Sequence, residues 1–196
     1  MKKSIFMYVC ATSLIVASCG SSSTPSDSQA TTPVVAPVEK TEPAVAVNET
    51  HYEVTDLVDL DLSANGIPVI TKAPKDAKIM TYDLPKSVIV YGGKFFKLTF
   101  EASEGSVAEN LDGLKSIATN KDVNPNFDKL EVDEKNGFLK KNKDGKLSFI
   151  YMVSAGGKAV SIVEGMPYDI SPDQFSDYSA DDVKLMFEAA KATKAK

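Results

Sequence analysis

A sharp change in composition near residue 51 limits which part of this chain can fold. Residues 20–50 consist mainly of Ser, Thr, Pro, Ala, Val and Glu and contain no aromatic side chain. Such a stretch cannot bury enough apolar surface to offset the entropy lost on ordering, so we expect it to be disordered. From Tyr52 onward, apolar residues recur at the spacings of strands and helices. The sequence therefore predicts one globular domain over residues 51–196.

The N-terminus has the three parts of a secretory signal peptide. Lys2 and Lys3 supply a positive start, residues 5–16 form an apolar run, and small residues precede Cys19. The run is shorter than the roughly 20 residues that a helix needs to cross a bilayer. We interpret residues 1–18 as a targeting segment.

The residues Val16-Ala17-Ser18-Cys19-Gly20 resemble the lipobox of bacterial lipoproteins. The resemblance implies that the Cys19 thiol is acylated, that cleavage follows Ser18, and that residues 19–50 tether the domain to a membrane through an N-terminal lipid. It places the domain outside the cytoplasm, in the bacterial cell envelope. By resemblance to enterobacterial sorting rules, Gly20 in place of an aspartate favours the outer membrane.

The domain itself shows strand patterns before and after a helical pattern. Predicted strands cover residues 58–62, 67–70, 78–82, 87–91, 94–101, 129–133, 137–141, 146–154 and 158–164, with glycine-containing turns between several of them. One helix should begin at Ser106 with Val107, Leu111, Leu114 and Ile117 as its buried stripe.

A second helix should begin at Ser179 and bury Val183, Met186, Phe187 and Ala190. This order of elements predicts an α+β domain, in which an antiparallel sheet of hairpins is flanked by two helices in a sandwich-like α/β/α arrangement. The order, together with the segment from Gly66-Ile67-Pro68-Val69 to Ala73-Pro74, weakly resembles the PsbP-like and Mog-type fold. That resemblance implies a domain that binds partners and does not catalyse.

The residue types present exclude several functions. The chain has a net charge of -5 and no arginine, which argues against binding to nucleic acid. His51 is the only histidine and lies next to the tether, and Cys19 has no cysteine partner once Cys10 leaves with the signal peptide. His-based triads and Cys/His zinc sites are therefore not expected, and no cofactor is predicted.

An acidic segment with aromatic residues precedes the second helix. Asp169, Asp173 and Asp177 are weak candidates for calcium ligands, since carboxylate oxygens suit a hard cation. Tyr168, Phe175 and Tyr178, interleaved with these aspartates, are equally weak candidates for partner-binding anchors. The simpler interpretation is a solvated loop that leads into a helix cap.

Three lysines near the predicted turn at residues 142–145 are a further candidate site. Lys140, Lys141 and Lys143 could contact anionic head groups or cell-wall carboxylates, but they could equally serve solubility and protect a sheet edge.

Two functional hypotheses remain open. The first is an envelope lipoprotein with a non-catalytic domain that binds a protein or another envelope component. The second is a module that binds a small ligand or calcium, or that processes an envelope polymer with carboxylates. The lack of a reactive motif favours the first and makes an enzyme the less favoured interpretation, without excluding one.

Overall fold

The computed structural model describes residues 51–83, 86–165 and 178–196, and an α+β domain is confirmed. The segments predicted as a signal peptide and a tether lie outside the described residues. Within the described ranges the strands are β1 (Leu57–Asp61), β2 (Val69–Pro74), β3 (Lys78–Asp83), β4 (Lys86–Gly92), β5 (Phe96–Ser103), β6 (Phe127–Glu134), β7 (Gly137–Asn142), β8 (Leu147–Ala155), β9 (Lys158–Glu164) and β10 (Lys194–Ala195). The helices are α1 (Val107–Thr119) and α2 (Ala180–Lys191).

Seven of these strands form one antiparallel sheet in the order β3-β4-β5-β9-β8-β7-β6. The predicted turns hold: Gly93 follows β4, Gly145 lies between β7 and β8, and Gly156 and Gly157 join β8 to β9, all four glycines with positive φ. Residues 127–164 form the expected meander. Because β9 pairs with β5, the connection through α1 leads the chain to the far edge of the sheet, and the meander returns to the centre.

The two helices cover opposite faces of this sheet. Residues of α2 share a core cluster with Leu139 of β7, whereas Leu111 of α1 shares a second cluster with the neighbouring Phe138. Since successive side chains of a strand point to opposite faces, α1 and α2 lie on different sides. The α2 stripe is as predicted: Val183, Met186, Phe187 and Ala190 are all buried.

The predicted stripe of α1 is wrong in its second half. The Ser106 and Glu109 capping box and the burial of Leu111 are confirmed, but Leu114 and Ile117 are 37% and 58% exposed. In this half of the helix, α1 contacts the sheet through Ala118, which packs against the second cluster. Leu111 and Ala118 are seven residues apart and so share one face of the helix, whereas Leu114 and Ile117 lie outside that face.

A small sheet in the order β1-β2-β10 joins the α2 side of the domain. Val69 and Ala73 of β2 belong to the same core cluster as α2, and so do Leu62 and Ile67 in the connection between β1 and β2. The strand predicted at residues 67–70 begins two residues later, at Val69, so Pro68 directly precedes β2 and its missing amide hydrogen removes no ladder bond. The pairing of β10 with β2 was not predicted, because it joins residues far apart in sequence.

In the part of the chain that the structure describes, neither helix has the length and apolar character needed to cross a membrane.

Candidate functional site

The larger of two grooves along α2 in the described residues lies between α2 and strands β6, β7 and β8, and it is here called the helix groove. It encloses about 550 Å³. Its lining residues are Glu131, Val132, Leu139, Lys141, Gly145, Leu147, Ala180, Lys184, Phe187 and Glu188. The apolar members come from three strands and one helix, so the groove exists only once α2 has packed on the meander.

Aromatic packing fixes the depth of the helix groove. The ring of Phe187 on α2 lies with its centroid 5.3 Å from that of Phe149 and 6.1 Å from that of Tyr151, both on β8. Leu139 is paired with Phe149 across β7 and β8 and is 4% exposed. Tilted and edge-on ring contacts of this kind hold side chains in fixed orientations. The floor is therefore preformed and apolar.

The charges at the rim of the helix groove are not equally compensated. Glu131 pairs with Lys129 at 3.1 Å, and Glu188 pairs with Lys191 at 3.2 Å. On the α2 wall, Lys184 pairs with Asp181 at 3.2 Å.

Lys141 differs from these groups. It lies on β7 opposite Leu147, lines the groove, and makes no ion pair with any residue in the described ranges. Among the described residues, Lys141 is thus the charged lining residue of the groove without an ion-pair partner, and it lies at the end near the β7–β8 turn.

The other two candidate lysines take different positions. Lys143 is exposed in the β7–β8 turn, where its backbone amide donates to the Asn126 carbonyl oxygen at 2.8 Å. Lys140 is half-buried beside Ser148, and its charge acts on the Glu164 carboxylate. Of the three predicted lysines, only Lys141 reaches the helix groove.

Glu164 is the carboxylate in the described ranges whose pKa is raised rather than lowered. The β8–β9 ladder ends at the pair Ile150 and Val163, and beyond it Glu164 Oε2 accepts a hydrogen bond from the Phe149 amide at 2.8 Å. Burial raises the pKa of Glu164 to about 7, although that amide and the charge of Lys140 both favour the ionised form. This carboxyl group, with its pKa near neutrality, is therefore bonded to the backbone of Phe149, whose ring contacts the groove residue Phe187.

His51 anchors the beginning of the domain to α2. Its Nδ1 lies 2.7 Å from Asp182 Oδ1, and its ring stacks on Phe95 at a centroid distance of 3.9 Å. The second oxygen of Asp182 accepts a hydrogen bond from Ser179 Oγ at 2.6 Å. Burial of Asp182 disfavours its ionised form, but the bonds from His51 and Ser179 outweigh burial and hold its pKa below the usual range.

The serine, aspartate and histidine of this cluster do not form a catalytic triad. The Asp182 carboxylate lies between Ser179 and His51, whereas a nucleophilic serine must contact the imidazole directly. Their arrangement is a helix cap: Ser179 and Asp182 exchange the two bonds of a capping box, and His51 adds a third contact.

A shallower groove of about 440 Å³ follows the opposite flank of α2. Its walls are residues 52–55 and the helix residues Asp181, Lys184, Leu185 and Glu188. Lys184 and Glu188 line both grooves, so they form a charged ridge between them.

Most of the predicted acidic and aromatic cluster lies outside the described residues: Tyr168, Asp169, Asp173, Phe175 and Asp177. Tyr178 is described, and it is half-buried against the main core cluster. Within the described ranges, no group of three or more His, Cys, Asp or Glu residues is arranged to hold a metal ion. Asp59 and Asp61, near the start of the domain, instead pair with Lys72 and Lys196.

Comparison with protein-family models, with curated proteins and with solved structures gave no match to this chain.

Sequence reasoning missed the helix groove, Glu164 and the docking of His51. Glu164 closes an apolar strand, and a charged residue at a strand end ordinarily indicates solvent. One signal was present: Lys140 and Lys141 are neighbours on a strand, so their side chains point to opposite faces of β7.

Proposed function

We propose that this chain is a lipid-anchored protein of the bacterial cell envelope whose folded domain binds a protein or another envelope component through the helix groove. The observation that carries the binding role is the groove itself: a preformed apolar floor under a rim of charged side chains. Specific recognition sites combine these two features, because apolar burial supplies affinity and a few polar groups supply orientation.

The anchoring half of the proposal is supported by the sequence. The lipobox-like residues before Cys19 and the composition of residues 20–50 are those of a lipoprotein signal and its tether. A domain held in this way acts near the membrane without entering it. A groove that recognises another envelope component suits that position.

Carboxylate chemistry is the competing function, and Glu164 is the residue that favours it, since raised pKa values cluster at catalytic sites. Hydrolysis of a glycan would require a second carboxylate facing the first. Among the described residues, the groups that act on Glu164 are backbone amides and Lys140. Its Oε2 is also already engaged by Phe149. These contacts favour a structural role for Glu164 and a binding role for the groove.

The binding role can be tested by photo-cross-linking in the native host. A photo-reactive phenylalanine derivative replaces Leu147, which lines the helix groove, in the full-length lipoprotein. The matched control carries the same derivative in place of Thr81, which is exposed on β3 at the other edge of the sheet. We expect a discrete adduct with one envelope component from Leu147 and none from Thr81. Identical adducts from both positions, or no adduct from Leu147, would overturn the proposal.

A further inference from the structure

The charge balance of the helix groove gives the chemistry of its partner. Each glutamate of the rim has a lysine partner: Glu131 pairs with Lys129, and Glu188 pairs with Lys191, which Glu134 shares. Lys141 has no such partner in the described ranges, and it faces the groove. Among the described residues, the charged lining group without a partner is therefore a cation, and it lies at one end of the groove.

The apolar floor lies directly beside this charge. Leu147 is the cross-strand partner of Lys141, and Leu139 lies two residues before Lys141 on the same face of β7. Phe187 closes the floor from α2. A ligand that satisfies both features must carry a negative group within a few ångströms of an apolar group. A volume of about 550 Å³ accommodates a small number of bulky side chains.

Resting on the proposed function, we infer that the partner of the helix groove is a protein segment in which an Asp or Glu stands next to an aliphatic or aromatic residue. The carboxylate pairs with Lys141, and the apolar side chain enters between Leu139, Leu147 and Phe187. Local matching of charge and apolar surface is how grooves of this kind select peptides.

The rim favours a peptide over an anionic membrane. Glu131 and Glu188 are exposed on the two sides of the groove, and Asp181 is exposed at the start of α2. A continuous anionic surface would approach these carboxylates together with Lys141. A peptide can place a single carboxylate at Lys141 and leave the acidic positions facing water.

The test is a selection from randomised displayed peptides. The bait is the full, lipidated chain in discs of neutral phosphatidylcholine. We expect enriched peptides to carry Asp or Glu within a few residues of Leu, Ile or Phe. Lys141→Glu should reverse the charge preference toward Lys and Arg, and should weaken a peptide selected by the wild type by about tenfold. Lys75→Glu, which makes the same change at an exposed lysine outside the groove, should leave the selection unaltered.

Charge reversal separates recognition from folding, because a merely destabilised variant loses binding without acquiring the opposite preference. Circular dichroism should show the same thermal unfolding for Lys141→Glu as for Lys75→Glu. Enrichment of neutral or basic peptides by the wild type would overturn the inference. So would an acidic preference that survives in Lys141→Glu.

Two further outcomes would also overturn it. One is the absence of any enriched peptide. The other is binding of the wild type to phosphatidylglycerol vesicles that Lys141→Glu abolishes, which would assign the groove to an anionic membrane. The cross-linking experiment at Leu147 tests the proposed function separately from the peptide selection. If it captures an envelope component while no acidic peptide is enriched, the proposed function stands and only the partner chemistry is wrong. If both experiments fail, both proposals fall.

Discussion

Replacing Glu164 by Gln should remove one specific part of the pH dependence of stability. The folded protein holds the Glu164 proton up to about pH 7, whereas the unfolded chain releases it near 4.5. Between these values the folded state binds more protons than the unfolded state, so the free energy of unfolding falls as the pH rises. The contribution of Glu164 is fully present below pH 4.5 and is lost above about pH 7.

The size of this effect follows from the two pKa values. Their separation implies that the wild type loses about 2–3 kcal/mol between pH 5 and pH 8 relative to Glu164→Gln. This is an upper figure, because the carboxylate lies at the end of its strand. The glutamine side chain has the size of the original and can still accept the Phe149 amide, so the variant should match the wild type near pH 4.5.

The assay is urea unfolding of both proteins at several pH values between 4.5 and 8. Subtracting one profile from the other cancels every other titrating group, including Asp182. Glu101→Gln, the same change on the neighbouring strand β5, is the matched control and should retain the wild-type slope. Parallel profiles for the wild type and Glu164→Gln would refute the reasoning, because they would show that the Glu164 carboxyl group titrates alike in both states.

Three further predictions concern the folding of the domain and can be measured by chemical unfolding. Gly113→Ala should stabilise the domain by up to about 1 kcal/mol, because this helix position has open space around a new Cβ. Gly137→Ala should destabilise it by more than about 2 kcal/mol, because the new Cβ would lie 2.6 Å from a backbone oxygen of β8, and equal effects of the two substitutions would contradict this. Leu111→Ala should lower the free energy of unfolding by about 2–4 kcal/mol and Ile117→Ala by less than about 1 kcal/mol, because Leu111 is buried and Ile117 is exposed. The reverse order would support the buried stripe expected from the sequence. Ser179→Ala should cost about 1 kcal/mol through loss of the α2 cap, and an unchanged midpoint would argue against the capping box.

The strands and turns of this domain were predictable because their signals are local. The alternation of Val58, Leu60 and Leu62 with Asp59 and Asp61 marks β1, and glycines with positive φ mark the turns on either side of β8. The buried stripe of α2 was also predictable, since its four apolar residues recur at the helical period after the N-cap Ser179. Fold class follows from these elements alone.

The parts that escaped prediction depend on contacts distant in sequence. The exposure of Ile117 depends on where Ala118 meets the sheet, and the pKa of Glu164 depends on burial at the end of the β8–β9 ladder. The same holds for His51, whose partner Asp182 is 131 residues away. The helix groove depends on distant contacts as well, because its walls come from α2 and from β6, β7 and β8, and β9 separates these strands from α2 in the sequence. A pattern within one segment carries no information about such surfaces.

Metabolic labelling with an alkyne fatty acid tests most directly the proposal that the domain works from a lipid anchor at Cys19. The wild type, Cys19→Ala and the matched control Cys10→Ala are expressed in the native host, labelled, and separated into membrane and soluble fractions. We predict label and membrane association for the wild type and for Cys10→Ala, and loss of both for Cys19→Ala. A Cys19→Ala protein that remains labelled and membrane-bound would contradict the account.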